Sequence, residues 1–287
     1  MKAARPGLFF LALVLVMTTG PRPAARPQGG RRIISLVPAV TEMLFAMGAG
    51  AEVVGVSSYD DFPAEVTSRP KVGALVDPDF ERILSLRPDL VVVYGSQDDL
   101  MSRLARARIA TFTYRHAGLA DITSTLRELG NRVGHRDEAN RAAASIERDL
   151  QAVQASVAGL RRPRTVLIFG REAGTLRSLF ASGGVGFLHD LVELAGGTDV
   201  FSDVKREGLQ VSTEQLLARA PDLVLELRAS EGWDAARLER ERLVWHQLPS
   251  MPAVKTNRIY ILADSSLTIP GPRVVHAARA IKAVLHP

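Results

Sequence analysis

No cysteine occurs in the 287 residues, so disulfides, thiolate metal sites, thiol catalysis and a lipid-modified N-terminal cysteine are all excluded. Histidine is scarce and scattered, at His116, His135, His189, His246, His276 and His286, with no HxH or HExxH spacing of the kind that holds zinc. His189 and Glu193 stand one helical turn apart, a spacing more typical of a surface contact than of a ligand set. There is no GxSxG elbow and no phosphate-cradling Walker loop. The glycine run Gly183-Gly184-Val185-Gly186 lacks the strand-turn-helix context of a dinucleotide fingerprint and reads as a turn before a helix containing His189. Nothing pairs a nucleophile with a base, so the expectation is a protein that is not an enzyme.

Acidic residues are absent from residues 1–28, which carry Lys2, Arg5, Arg22 and Arg26 around an apolar run from Leu8 to Met17. Such a run is too short to span a bilayer comfortably, and the proline and small residues after it fit a secretory signal peptide cleaved between Gly20 and Gln28. Of the 36 basic residues in the chain, 32 then remain against 31 acidic ones, a net charge of +1. No long Lys/Arg run is present, so no nucleic-acid footprint is expected. An exported protein stabilised by core packing alone, with 46% hydrophobic residues, is the consistent reading.

What is present is a repeat. Pro78-Asp79-Phe80-Glu81-Arg82-Ile83-Leu84-Ser85-Leu86-Arg87-Pro88-Asp89-Leu90-Val91-Val92-Val93 is echoed by Val211-Ser212-Thr213-Glu214-Gln215-Leu216-Leu217-Ala218-Arg219-Ala220-Pro221-Asp222-Leu223-Val224-Leu225-Glu226. Each copy carries a glutamate near the start of a short amphipathic run, a Pro-Asp stop, and an apolar, branched run suited to a strand buried on both faces. Asp77 with Pro78 is expected to open the first helix, and Ser212 with Gln215 to form a capping box on the second. Both helices should end where the residue before proline leaves the α region, at Arg87 and Ala220.

Strands and helices alternate on either side of these units, from Arg32–Leu36 and Val53–Ser57 through Ala110–Tyr114, and again from Thr165–Phe169 to Arg258–Leu262. Between the two series, Asp137 to Leu160 contains no proline and no glycine before Gly159, with Gly130 and Gly134 marking a break ahead of it and Asp137 a candidate cap. The expected fold is α/β: two similar lobes with parallel-type sheets flanked by helices, joined by one long bridging helix, with a ligand cleft between the lobes. The expected segments are a signal peptide at 1–28, an N-terminal lobe at 29–135, the bridging helix at 136–161 and a C-terminal lobe at 162–287.

In open α/β sheets ligands sit beyond the carboxyl ends of the strands. That rule selects Tyr59, Tyr94, Arg171, Glu172, Arg228 and Asp264, with Pro38 and Val40 after the first strand as further candidates.

Two α/β lobes, a bridging helix and a leader without a catalytic constellation resemble the helical-backbone class of periplasmic substrate-binding proteins of ABC importers. Within that class the chain is most similar to the vitamin B12-binding proteins. The matching stretches are Ile34-Ser35-Leu36-Val37-Pro38-Ala39-Val40-Thr41-Glu42, Val54-Gly55-Val56-Ser57-Ser58-Tyr59-Asp60-Asp61-Phe62-Pro63, Glu81-Arg82-Ile83 with Arg87-Pro88-Asp89-Leu90-Val91, Leu194-Ala195-Gly196-Gly197, and the segment around Glu214. The resemblance implies a periplasmic location and a cobalamin or related corrinoid as transported ligand. It also implies a permease dimer met by Glu81 and Glu214, one on each lobe, and a monomer when free. Tyr59, Tyr94 and Asp264 fall at positions resembling corrinoid contacts. The chain departs from the pattern where the B12 binders carry tryptophans: Leu75 and Gly208 stand there, and Leu75 is retained as a ligand-site candidate. Arg171 and Arg228 suit a carboxylate-bearing ligand instead, so haem or a ferric siderophore is the alternative cargo.

Overall fold

The computed structural model describes Met1, residues 31–229 and residues 232–287. The leader read in residues 1–28 therefore lies outside the described residues, Met1 apart. Among the described residues no helix is long and apolar enough to cross a membrane.

The first half alternates strand and helix: β1 (Ile33–Ser35), α1 (Pro38–Ala46), β2 (Val53–Val56), α2 (Phe80–Ser85), β3 (Leu90–Tyr94), α3 (Asp98–Arg106) and β4 (Ala110–Tyr114). Its sheet has the order β2-β1-β3-β4, and every pair is parallel. Two long helices follow, α4 (Leu119–Val133) and α5 (Arg136–Ser156). The second half contains β5 (Arg164–Gly170), β6 (Leu179–Ser182), α6 (Phe187–Leu194), β7 (Thr198–Asp199), β8 (Gly208–Val211), α7 (Thr213–Arg219), β9 (Leu223–Arg228), α8 (Ala235–Val244), α9 (Pro252–Lys255), β10 (Ile259–Ala263) and α10 (Val274–Leu285). Its sheet has the order β10-β9-β5-β6-β8, with β7 also on β5. Here β10, β9, β5 and β7 are parallel, but β6 and β8 are antiparallel, a hairpin-like extension without a counterpart in the first lobe. Leu179–Ser182 and Gly208–Val211 are short and interrupted by glycine and polar residues, which hides them from a periodicity reading.

The repeated unit does the same job twice. Arg87 and Ala220, the residues before proline, both take left-handed backbone, with φ of 46° and 47°. The following Asp89 and Asp222 then reach sideways to the strand next door. The Asp89 carboxylate accepts from the Arg32 N–H at 2.9 Å and Asp222 from that of Arg164 at 3.2 Å, while the Asp N–H in each copy donates back to the same arginine's carbonyl at 2.8 Å. Each arginine also sends its guanidinium to a carbonyl at the end of its helix, Arg32 to Leu86 at 2.8 Å and Arg164 to Arg219 at 2.6 Å. The Pro-Asp stop is thus a clamp that fixes helix end, strand start and sheet register together, satisfying backbone groups that a helix terminus leaves unpaired.

Three local expectations need correction. The cap of α2 is Asp79, whose carboxylate accepts from the Arg82 N–H at 2.9 Å, so the helix begins two residues later than an Asp77 cap implies. The Ser212 capping box on α7 forms as expected. Asp137 does not cap α5; His135 stands at that position and its ring meets Glu52 at 2.7 Å. Gly130 does not break α4, which runs on to Gly134. A Cβ at Gly130 would collide with that of Ala139, so glycine there lets α4 and α5 pack closely.

α5 is 21 residues long, roughly 31 Å at 1.5 Å per residue. It buries Ala139, Ala143, Ile146, Leu150 and Val153, one stripe at helical spacing. One end lies by Glu52 in the first lobe; beyond the other, Val157 packs under Gly196 in the second. The largest core cluster joins this stripe to residues of α1, α4, α6 and α10, so the two sheets rest on a shared helical layer.

Candidate functional site

A cavity of about 450 Å³ opens at the carboxyl ends of both sets of strands. From the first lobe come Val37, Pro38 and Ala39 after β1, Tyr59 and Asp61 after β2, Tyr94 at the end of β3, and Tyr114 and His116 at and just after the end of β4. From the second come Ala229 after β9 and Ser265, Thr268, Ile269 and Pro270 after β10. The topology explains the convergence: parallel strands end on the same side of a sheet, and that side of each sheet faces the other.

Of the residues chosen from sequence, the cavity brings together Tyr59, Tyr94 and Pro38. Tyr59 is 73% exposed, its N–H anchored on the Ser57 hydroxyl at 3.1 Å. Tyr94 is half-buried, and burial together with the nearby Asp60 charge pushes its phenol above the ordinary value. The Tyr94 N–H donates to Gln97 Oε1 at 2.9 Å, and Gln97 in turn donates to the Leu75 carbonyl at 3.0 Å. Leu75 is thereby tied to Tyr94 through its backbone, while its side chain borders a neighbouring groove with Val76 and Pro78. Asp264 stands immediately before the cavity residue Ser265. It accepts from the Ser266 N–H at 2.8 Å and the Ser266 hydroxyl at 2.6 Å, and meets His276 at 2.9 Å. Burial raises this carboxyl, but the Ser266 and His276 contacts prevail and hold it below its ordinary value. Val40 is fully buried in the core, and Glu172 is exposed away from the cavity lining.

Arg171 and Arg228 are not brought into the cavity as free cations. Arg171 has a fully buried side chain, with Nε donating to Glu226 at 3.1 Å and an Nη at 2.7 Å from Glu241. Arg228 pairs with the other oxygen of Glu226, and the Trp245 indole N–H donates to Glu226 at 3.0 Å. Two guanidinium groups and two carboxylates neutralise one another under the end of β9, as buried charges must. The reading of these arginines as carboxylate receptors is corrected by that geometry: Glu226 and Glu241 already hold them.

The residues missed from sequence are Val37, Ala39, Asp61, Tyr114, His116, Ala229 and the Ser265–Pro270 turn. The rule of carboxyl ends, applied to β4, would have found Tyr114 and His116. The rings form a ladder: Tyr94 to Tyr114 at 6.1 Å, Tyr114 to His116 at 6.2 Å and nearly parallel, His116 to Phe187 at 5.6 Å edge to face. Phe187 opens α6, so the ladder passes from one lobe to the other. Burial holds the His116 imidazolium below its ordinary pKa against the opposing pull of Asp121, Glu207 and Asp190. Gly208 also finds a reason: a Cβ there would meet the Phe169 ring at 2.8 Å, so the space over that strand is filled by Phe169.

Among the described residues no group of three or more His, Asp or Glu side chains is gathered so as to hold a metal ion. Glu81 and Glu214 lie outside the cavity. Both are exposed in the first turns of α2 and α7. Each of these helices leads through its Pro-Asp stop into the amino end of a parallel strand, α2 into β3 and α7 into β9.

Residues 33–265 match the sequence model of the periplasmic binding proteins. The vitamin B12-binding protein of Salmonella typhimurium is 31% identical over 274 residues, covering 95% of each chain. That of Yersinia pseudotuberculosis is 32% identical over 224 residues, 76% of this chain and 77% of the relative. Among solved structures, the periplasmic vitamin B12 binding protein BtuF of Vibrio cholerae superposes with a TM-score of 0.76 at 22% identity, covering 89% of this chain and 96% of that one. The periplasmic heme-binding protein BhuT, in complex with two hemes, gives 0.73 at 25% identity over 90% and 100%.

Proposed function

Because the chain belongs to the periplasmic binding protein family, we propose that it captures cobalamin or a related corrinoid in the periplasm and delivers it to the permease of an ABC importer. The observation that carries the choice of cargo is the charge of the cavity wall. Its described lining residues include three tyrosines, Ile269 and Pro270, one carboxylate in Asp61, and no lysine or arginine. A corrinoid presents a flat face to aromatic rings and a rim of neutral amides. Haem and many ferric siderophores present carboxylates or other anionic groups, which would ask for cations that Glu226 and Glu241 have already taken. The names of the B12-binding relatives point the same way. A corrinoid exceeds a drug-sized ligand, so the 450 Å³ cavity would enclose one edge of it and leave the rest at the mouth.

Tyr59, Tyr94 and the turn after Asp264 would contact the cargo, with Leu75 at the margin. Glu81 and Glu214 would meet the two permease subunits, one charge on each lobe, and the free protein would be a monomer. The segments 29–135, 136–161 and 162–287 would act as lobe, bridge and lobe. Residues 1–28 would direct export and be removed, and without cysteine no lipid anchor would follow.

Titration of the exported, purified protein with cyanocobalamin, haemin and a ferric siderophore, followed by absorbance and tryptophan quenching, tests the cargo. Tight binding of cyanocobalamin alone is expected. Haemin or siderophore binding without it would overturn the corrinoid reading in favour of the alternative, and the intact mass of the same sample reports leader removal.

A further inference from the structure

On the residues that line the cavity, three buried polar atoms have no hydrogen-bond partner among the described residues: the Tyr114 hydroxyl and both ring nitrogens of His116. All three are shielded from water, although both residues line the cavity wall. Buried polar groups are almost always paired, so a group of unpaired ones at a ligand cavity is a demand that a ligand can meet. Tyr59, by contrast, lies largely in solvent and gains nothing comparable.

Resting on the corrinoid reading, we propose that Tyr114 and His116 form a neutral hydrogen-bonding subsite that takes a carboxamide on the edge of the cargo and refuses a carboxylate in its place. Burial favours the neutral imidazole, which carries one N–H and one lone pair, and the phenol can donate or accept. A primary amide has the complementary set, a carbonyl oxygen and two N–H groups. The imidazole lies between Tyr114 and Phe187, and engaging the cargo requires it to turn about its Cβ–Cγ bond, a broad torsion, so that a nitrogen faces the cavity.

A carboxylate fits poorly for two reasons. It has no hydrogen for the imidazole lone pair, and its charge faces Asp121, Asp190 and Glu207 with no free cation among the described lining residues. Protonating His116 would supply the missing cation, but burial opposes that. A site built to hydrogen-bond one group discriminates strongly against an analogue that leaves its polar atoms unpaired.

The test compares cyanocobalamin with its monocarboxylic acids, in which one peripheral amide has been hydrolysed, by calorimetry on the full exported chain. The wild type should bind at least one of these acids about tenfold more weakly than the parent. His116→Ala should weaken cyanocobalamin about tenfold and abolish that difference, His116→Gln should restore part of both, and Tyr114→Phe should act in the same direction as His116→Ala. Unchanged affinity, or full discrimination retained in His116→Ala, overturns the subsite while leaving the corrinoid reading intact. If His116→Ala does not fold, Tyr114→Phe, which removes only one unpaired oxygen, decides in its place. A wild type that binds no corrinoid overturns the reading and the subsite together.

Discussion

The guanidinium of Arg273 lies against the carboxylate of Glu42 in a two-pronged pair, Nε donating to Oε2 at 3.0 Å, and so joins the start of α10 to α1 beside the cavity wall. The two residues are 231 positions apart in sequence. Glu42 is almost completely buried, Arg273 is a quarter exposed, and the cation also stacks on the Phe62 ring at 4.2 Å. Burial raises the Glu42 carboxyl above its ordinary pKa, with Arg273 pulling the other way.

Removing the cation leaves that carboxylate buried and alone. Arg273→Met is expected to lower stability by about 2 kcal/mol, less than a fully buried pair would lose because Arg273 is partly solvated. Cargo should also dissociate faster, since a tie between the lobes beside the cavity is gone. Urea denaturation and stopped-flow release measure the two effects. In Arg273→Met/Glu42→Gln the stability should partly recover; strict additivity of the two changes would show that the pair is not coupled.

Asp60, buried one residue before the cavity residue Asp61, gives a pH prediction. Burial pushes its carboxyl up to about 7, against the opposing pull of Thr41, the Ser57 backbone and Lys71. A carboxyl raised on folding favours the folded state while protonated. Its contribution is therefore fully present below the unfolded value near 4 and is lost as pH rises toward 7. Asp60→Asn, which cannot ionise, should stabilise the protein at pH 8 by about 2 kcal/mol and flatten the fall in stability between pH 4 and 7. Melting curves across that range are the measurement, and an equal pH dependence in both proteins would remove Asp60 from the account.

For delivery, Glu81→Arg with Glu214→Arg should stop uptake in cells carrying the cognate permease while cyanocobalamin affinity stays within about twofold, because neither residue lines the cavity. Both are exposed in a first helical turn, so folding should be unaffected. Uptake that survives the double reversal, or affinity that falls with it, would sink the docking role.

Much of the architecture was legible because it depends on local rules. The Pro-Asp stop, the Ser212 box and the apolar runs act over a few residues, and their repetition announces two similar lobes. The stop's purpose was not legible, since Asp89 pairs with Arg32 and Asp222 with Arg164 only once strands lie side by side. Likewise β6 and β8 are held as strands by their neighbours rather than by any pattern of their own.

The site divides the same way. That strand ends would line it follows from topology, and Tyr59 and Tyr94 are there. Which polar groups remain free for a ligand is a matter of partners, and partners are distant in sequence. Arg171 and Arg228 look available in the chain, yet Glu226 and Glu241 neutralise them. His116 looks incidental, yet folding sets it between Tyr114 and Phe187 of the other lobe with its nitrogens unpaired.

The sequence by itself determined the α/β alternation, the duplicated unit and the placement of one exposed glutamate at each copy, because helix caps, proline stops and buried strands are decided within a few bonds of the residues that cause them. Only the tertiary structure decided the charge and shape of the cavity, because electrostatic pairing and ring stacking depend on distances across space, and folding alone brings Arg171 to Glu226, Arg273 to Glu42 and His116 to Phe187.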